Sequence, residues 1–188
     1  MSGGLVVFPT RCLYGLAADA GNTAAVHKVF QAKGRGPENP VLILIRHADD
    51  LAGLVTTVPD SALILMEKIW PGGVTLVFPA SAAVLPALTA GTGKIGIRLP
   101  AHPVARALVD AVGRPVTGTS ANVSGKPGCA DAVGLDRRIA AEADLILDGG
   151  PLAGGTGSTV VDVTGKMPVI LRSGAVPDGA IWKALALD

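Results

Sequence analysis

Apolar residues fall along this chain in short runs punctuated by glycine, proline and small polar residues, and the runs alternate in character. Leu5 to Phe8 is a continuous apolar stretch ended by Pro9-Thr10, which predicts a buried strand. Thr23 to Ala32 has helical spacing, with Asn22 as N-cap and Val26, Val29 and Phe30 on one face; Lys33-Gly34-Arg35-Gly36-Pro37 stops it. A second buried strand is expected over Val41 to Ile45. Helices are expected around Ala48 to Leu54 and Ser61 to Trp70, the latter capped by Asp60. Pro71-Gly72-Gly73 turns into a strand at Val74 to Phe78. Ile95 to Leu99 alternates strictly, with Ile95, Ile97 and Leu99 on one face and Gly96 with Arg98 on the other. Pro103 to Val112 reads as a helix with proline in its first turn and Gly113 past its end.

The short strand Pro115-Val116 runs into a segment rich in Thr, Ser, Asn and Gly. Beyond it come a helix over Leu135 to Ala143, strands at Leu145 to Leu147, Thr159 to Val163 and Val169 to Leu171, and a last helix over Gly179 to Leu187. Strands alternating with helices predict an α/β fold, a mixed, twisted sheet covered by helices on both faces. No repeat, linker or low-complexity tract interrupts it, so residues 1–188 read as one domain.

Composition narrows the function classes. Hydrophobic residues make up 49% of the 188, yet no apolar run approaches the roughly 20 residues that span a bilayer. The start, Met1-Ser2-Gly3-Gly4, lacks the basic and apolar regions of a signal peptide. Two cysteines, Cys12 and Cys129, give neither a disulfide framework nor metal-ligand spacing, so a reducing cytoplasm is the expected compartment. The net charge of +1 provides no global pull toward nucleic acid or membrane, and six aromatic residues (three Phe, two Trp, one Tyr) are too few for a base-stacking platform. Any basic site must come from local clustering.

Candidate chemistry sits where core strands end in polar residues. Gly113 to Gly128 reads GRPVTGTSANVSGKPG, and in open α/β sheets ligands bind outside the carboxyl ends of strands. The same composition also suits a turn chosen for its backbone hydrogen bonds. Arg98 lies inside a strand, so it must face either an acid on a covering helix or a bound anion. Lys33 and Arg35 either offset the dipole of the helix they follow or, with Gly34 and Gly36 beside them, cradle a polyphosphate. Standard nucleotide motifs are absent: Gly91-Thr92-Gly93-Lys94 lacks P-loop spacing, and Gly154 to Thr159 lacks the lysine. The three histidines are dispersed, and nothing supports Cys12 as a nucleophile.

Seven stretches together are distinctive: PTRCLYGL from Pro9, Lys33-Gly34-Arg35, PGGVT from Pro71, GIRLP from Gly96, Thr119-Ser120-Ala121-Asn122, STVV from Ser158 and LRSG from Leu171. In this order and spacing, over Gly4 to Ala175, they resemble the YrdC/Sua5 family of threonylcarbamoyl-AMP synthases. The resemblance implies a YrdC-like fold with a large basic cavity. Lys33 and Arg35 would hold the ATP triphosphate, helped by Asn39, Ser120, Asn122 and Arg172, with Lys33, Arg35 and Arg172 catalytic. Thr10, Cys12, Arg98, Ser120 and Ser158 would position L-threonine and its carbamate.

The implied reaction joins L-threonine, bicarbonate (or CO2) and ATP into threonylcarbamoyl-adenylate and pyrophosphate. Mg²⁺ would ride on the ATP phosphates, and the product would pass to proteins that modify adenosine 37 of tRNA. Contact with RNA, with no membrane partner, is a further expectation. A non-catalytic RNA-binding or ribosome-maturation role, or a different carbamate acceptor, is the alternative. The chain departs from the family pattern in three places. Cys12 replaces the second hydroxyl of PTxT, Leu44 stands where histidine is common, and the N-terminal helix and C-terminal extension of longer members are expected to be missing.

Overall fold

The computed structural model describes residues 3–186 as ten strands, six α-helices and two 3₁₀ turns, distributed over two sheets. The first sheet has the order β7-β2-β1-β8 and comprises Thr119–Ser120, Tyr14–Ala17, Val6–Pro9 and Leu145–Ile146. The second has the order β10-β9-β4-β5-β3-β6. Its strands are Val169–Arg172, Thr159–Asp162, Val74–Pro79, Lys94–Arg98, Ile43–Leu44 and Val116–Thr117. Parallel and antiparallel pairings alternate across it: β4 is antiparallel to β5 but parallel to β9, and β3 is parallel to β5 but antiparallel to β6. The α/β class expected from the sequence is correct, with two mixed sheets in place of one.

The smaller sheet is covered on both faces, which explains the continuous apolar run at its centre. Leu5, Val7, Tyr14 and Leu16 pack with α1 (Thr23–Lys33) and α5 (Arg137–Glu142) through Ala25, Val29 and Ile139. Phe8 and Ala17 pack the other way, against Ala105 and Val109 of α4 (Pro103–Val112). The larger sheet is apolar on one face only. Leu76, Phe78, Ile95, Ile97 and Val161 meet α2 (Asp60–Ile69), α3 (Pro86–Thr89) and α6 (Asp178–Leu185) through Leu65, Leu88 and Ile181. Burying side chains of this size stabilises by about 1.5–3 kcal/mol each relative to exposure. The alternate residues Thr75, Val77, Lys94, Gly96, Arg98, Val160 and Asp162 face the other way, into a cavity.

The two sheets are stitched along Val116 to Ser120. β6 pairs with β3, β7 pairs with β2, and Asp19 bridges Val116 between them. Gly118 stands at the crossing, its N–H donating to the Leu42 carbonyl at 2.8 Å. A Cβ there would lie 2.7 Å from Leu42 Cδ1 and 2.8 Å from Leu44 Cδ2.

Most sequence expectations hold within a residue or two, with several corrections. Asp60 is the first helical residue and Pro59 precedes it as the cap. The segment at Ala48–Gly53 is a 3₁₀ turn, and the strand expected over Val41 to Ile45 shortens to Ile43–Leu44. The strands β2 and β7 and the one-turn helix α3 were not anticipated. The last helix ends at Leu185, and Leu187 lies outside the described residues.

Because Leu44 is fully buried, Gly118→Ala forces a shift in the core and is expected to cost about 1–3 kcal/mol. Gly53→Ala, where nothing lies within 4 Å, serves as the control. Urea unfolding of the two variants measures the difference, and equal midpoints would refute the steric argument.

Candidate functional site

Between the two sheets lies a cavity of about 800 Å³, walled by the polar face of β4, β5, β9 and β10 on one side and by β1, β2 and β7 on the other. Arg35, Lys94, Arg98, Lys126 and Arg172 line it, against one carboxylate, Asp162. Two of these cations are already paired with acids: Lys94 with Asp162 at 2.8 Å, and Lys126 with Asp136 at 2.7 Å. Among the described residues the three arginines are not.

Arg98 ends β5 on the face opposite Ile95 and Ile97, as the alternation required. No ion pair among the described residues involves it, and its Nε is buried without a hydrogen-bond partner. The salt bridge to a covering helix, one of the two possibilities left by the sequence, is therefore not the one taken. Burial, and then the nearby charge of Arg172, lower its pKa to about 10, with Cys12 opposing. Arg35 donates from Nε to the Asn39 carbonyl (3.1 Å) and from Nη2 to the Pro40 carbonyl (2.7 Å). Burial and the charge of Arg172 push its pKa down, against Glu38. Arg172 folds back over the start of β9 and donates from Nη2 to the Ser158 carbonyl at 2.7 Å. Burial lowers its pKa as well. Buried guanidiniums, two of them further depressed by the charge of Arg172, are stabilised by an anion among them.

Lys33 is placed differently. It is the last residue of α1, 1% exposed, and its ammonium turns beneath the loop that follows β7. There it donates to the carbonyls of Ser120 and Asn122 (2.7 Å to the latter) and to Asn122 Oδ1 at 3.3 Å. The Lys33 carbonyl in turn accepts from Ser124 N at 2.8 Å. Thus it neither lines the cavity nor caps its own helix; Gly34, in the left-handed region, performs that task. Burial, then the charge of Arg35, lower the Lys33 pKa to about 8.

Asn122 completes the brace. Its Oδ1 accepts from Ser120 Oγ, and its Nδ2 donates to the carbonyls of Val123 (3.0 Å) and Lys126 (2.6 Å). Ser120, Asn122 and Asn39 line the cavity, and Asn39 Nδ2 donates to Glu38 at 2.6 Å.

Thr10 and Ser158 lie where the cavity meets a smaller one. The Thr10 hydroxyl donates to the Leu13 carbonyl at 2.5 Å, and Ser158 Oγ lies 2.8 Å from Thr75 Oγ1. Cys12 lines the smaller cavity and not the main one, while Leu44, in β3, is buried in the apolar cluster that holds Phe8, Ala105 and Val109. Sequence reasoning missed Lys94, Asp162, Lys126 and Thr75. The strict alternation of β5 pointed to Lys94, but the pair it makes with Asp162 spans 68 positions and carries no local signal.

Fold and site define an α/β protein with a cation-lined cavity held between two sheets. A family model for Sua5, YciO and YrdC proteins, described as telomere recombination, matches residues 1–174. Threonylcarbamoyl-AMP synthase of Pyrococcus abyssi is 39% identical over 97% of this chain and 54% of its own length. The synthase of Bacillus subtilis is 42% identical over 92% of this chain and 50% of its own. This chain therefore spans about half the length of these two relatives. A putative threonylcarbamoyl-AMP synthase of Mycobacterium tuberculosis is 38% identical over 100% of this chain and 86% of its own length. Among solved structures, P. abyssi Sua5 complexed with L-threonine superposes with a TM-score of 0.91 at 39% identity, covering 97% of this chain and 54% of that one. E. coli YciO superposes with 0.85 at 28% identity, covering 96% and 87%. The chain belongs to the Sua5/YciO/YrdC family.

The position of Lys33 sets a pH dependence. Its folded pKa of about 8 lies below the ordinary 10.5, so between those values the folded protein has released a proton that the unfolded chain keeps. Across that window this group's contribution to stability rises with pH, while the charge beside Arg35 is lost. Affinity for inorganic pyrophosphate, measured calorimetrically at low salt, is expected to fall several-fold, roughly, as pH rises through about 8. Lys33→Met should remove that inflection; an unchanged pH profile would show that Lys33 does not contribute to the cavity's field.

Proposed function

We propose that this protein is a threonylcarbamoyl-AMP synthase, condensing L-threonine, bicarbonate and ATP into threonylcarbamoyl-adenylate and pyrophosphate. The observation that carries the reading is the convergence of Arg35, Arg98 and Arg172 on one cavity, with no carboxylate partner for any of them among the described residues. The names of the relatives support it, as does the L-threonine complex of P. abyssi Sua5.

In this reading bicarbonate takes up a proton and loses water to give CO2, and the threonine amine lone pair then forms the N–C bond of a carbamate as an amine proton leaves. A carbamate oxygen then attacks the α-phosphorus of ATP, and the bond to the β-phosphate breaks with its electron pair leaving on pyrophosphate. No protein nucleophile is required. The demand on the protein is alignment and neutralisation of negative charge. Arg35 and Arg172, each anchored through part of its guanidinium, take the phosphates. Arg98 takes a carboxylate, and the Thr10 and Ser158 hydroxyls orient the amino acid. Ser120 and Asn122 shape the wall around the nucleotide, and Lys33 holds that wall in place.

Mg²⁺ enters this proposal as an ion carried by ATP. Asp162, the carboxylate of the lining, is engaged by Lys94, a donor set that suits a phosphate-borne ion better than a protein cage. When bound, the ion would neutralise charge on the phosphates. No helix among the described residues is long and apolar enough to cross a membrane. A cytoplasmic location and transfer of the product to tRNA-modifying proteins belong to the same proposal.

The test is pyrophosphate release from ATP and Mg²⁺, with L-threonine and bicarbonate each omitted in turn. Release that needs both is the expected result, and ATP binding without release under any combination overturns the reading. Arg98→Ala is expected to raise the KM for threonine about 10-fold or more, the loss of one charge-assisted contact, with ATP affinity nearly unchanged. An unchanged threonine KM would remove Arg98 from that role.

A further inference from the structure

A second cavity, of about 350 Å³, lies behind Arg98. It shares Thr10, Leu13, Arg98, Gly157 and Ser158 with the main one, so these five residues form the partition between the two. Its own walls carry Arg11, Lys68, His102 and Cys12, and no carboxylate of the described residues lines it. Lys68 Nζ is tied to the Ala184 carbonyl at 2.7 Å, whereas no hydrogen bond or ion pair among the described residues engages the guanidinium of exposed Arg11. Two polar atoms at this place are buried without partners, Arg98 Nε and His102 Nδ1. The positive end of α4, which His102 precedes, adds to the same field.

This arrangement poses a question that the proposed reaction sharpens. ATP bound across Arg35 and Arg172 fills the side of the main cavity lined by those residues, yet the carbon source must still reach the amine beside Arg98. Cations without counter-charges on both sides of the partition raise the local concentration of small anions. We propose that the smaller cavity is an antechamber for bicarbonate, feeding Arg98 by a route that bound nucleotide leaves open. This rests on the synthase reading for the identity of the anion but not for the existence of the chamber.

Cys12 provides a reporter that needs no turnover. In a Cys129→Ser background it is the one remaining thiol of the chain. Its labelling by anionic 2-sulfonatoethyl methanethiosulfonate is compared with labelling by the cationic trimethylammonioethyl reagent, each rate normalised to a small neutral thiol. The anionic reagent is expected to react about 5-fold faster or more, a preference that Arg11→Glu abolishes. Bicarbonate should slow the labelling, and ATP alone should leave it unchanged. Absence of the charge preference, or blockage by ATP alone, overturns the antechamber. In turnover, Arg11→Glu should raise the KM for bicarbonate about 3- to 10-fold with those for ATP and threonine held within about 2-fold. A shift in the threonine KM instead would make the chamber an amino-acid pocket and refute the proposal. If pyrophosphate release does not depend on threonine and bicarbonate at all, the synthase reading fails while the labelling still decides the chamber.

Discussion

The site depends on cations held by neutral oxygens. Lys33 donates to the carbonyls of Ser120 and Asn122, Arg35 to those of Asn39 and Pro40, and Arg172 to that of Ser158. A carbonyl fixes a donor's position but leaves its charge uncancelled. Elsewhere the chain pairs cations with acids in the ordinary way, as in Arg46 with Asp50 and Arg114 with Asp19. The difference matters because burying a charge without a counter-charge costs several kcal/mol. Here that cost appears in the lowered pKa values of these three groups and of Arg98 beside them. An anion among these groups would offset that cost.

Such a cluster needs a scaffold that cannot relax by moving its loops apart, and the crossing at Gly118 provides one. The chain leaves the larger sheet at Thr117 and joins the smaller at Thr119, with one residue between. The Thr117 hydroxyl accepts from Ala18 N at 2.9 Å and its own N–H donates to the Ala18 carbonyl at 2.8 Å, so the seam is bonded on both sides. Ser120 follows directly, and the carbonyls that receive Lys33 are therefore fixed by the pairing of two sheets. From the other side, Gly174 packs its backbone on Gly157 and Ser158, where a Cβ would come within 2.4 Å of the Gly157 carbonyl oxygen.

Much of this was legible in the sequence, and what was not has a physical cause. Long periodic elements such as α1 and α4 are local, and their caps and stops, Asn22, Gly34 and Gly113, were readable in place. The strict alternation of β5 identified Arg98 as a charge on a non-core face. The smaller sheet was legible only in part. β1 and β8 fall on apolar runs read from the sequence, whereas β7 is two residues long and exists because β2 pairs with it, so no period announces it. The same holds at the site: Lys94 and Asp162 form their pair only because β4 lies between their strands and sets both registers. The fate of Lys33 was also open. Its place at a helix end suited capping or phosphate binding equally, and only the tertiary position of the Ser120 loop shows a third role.

That third role changes how the polar loop is to be read. Asn122 has two acceptor positions and two donors, and all four are taken within the protein: Ser120 and Lys33 on Oδ1, Val123 and Lys126 through Nδ2. A side chain so saturated binds a ligand only by giving up a bond already made. The Ser120 hydroxyl, spending its proton on Asn122, retains only acceptor capacity, a poor match for a phosphate oxygen. In the proposed synthase, recognition of phosphate then falls to the arginines, whose guanidiniums keep free N–H groups, while the Ser-Asn pair and Lys33 act as one brace. A substitution at any member of the brace would move the wall and the ammonium together. Its effect on nucleotide affinity would be that of a displaced surface, whereas loss of Arg35 or Arg172 removes a donor from an otherwise intact one.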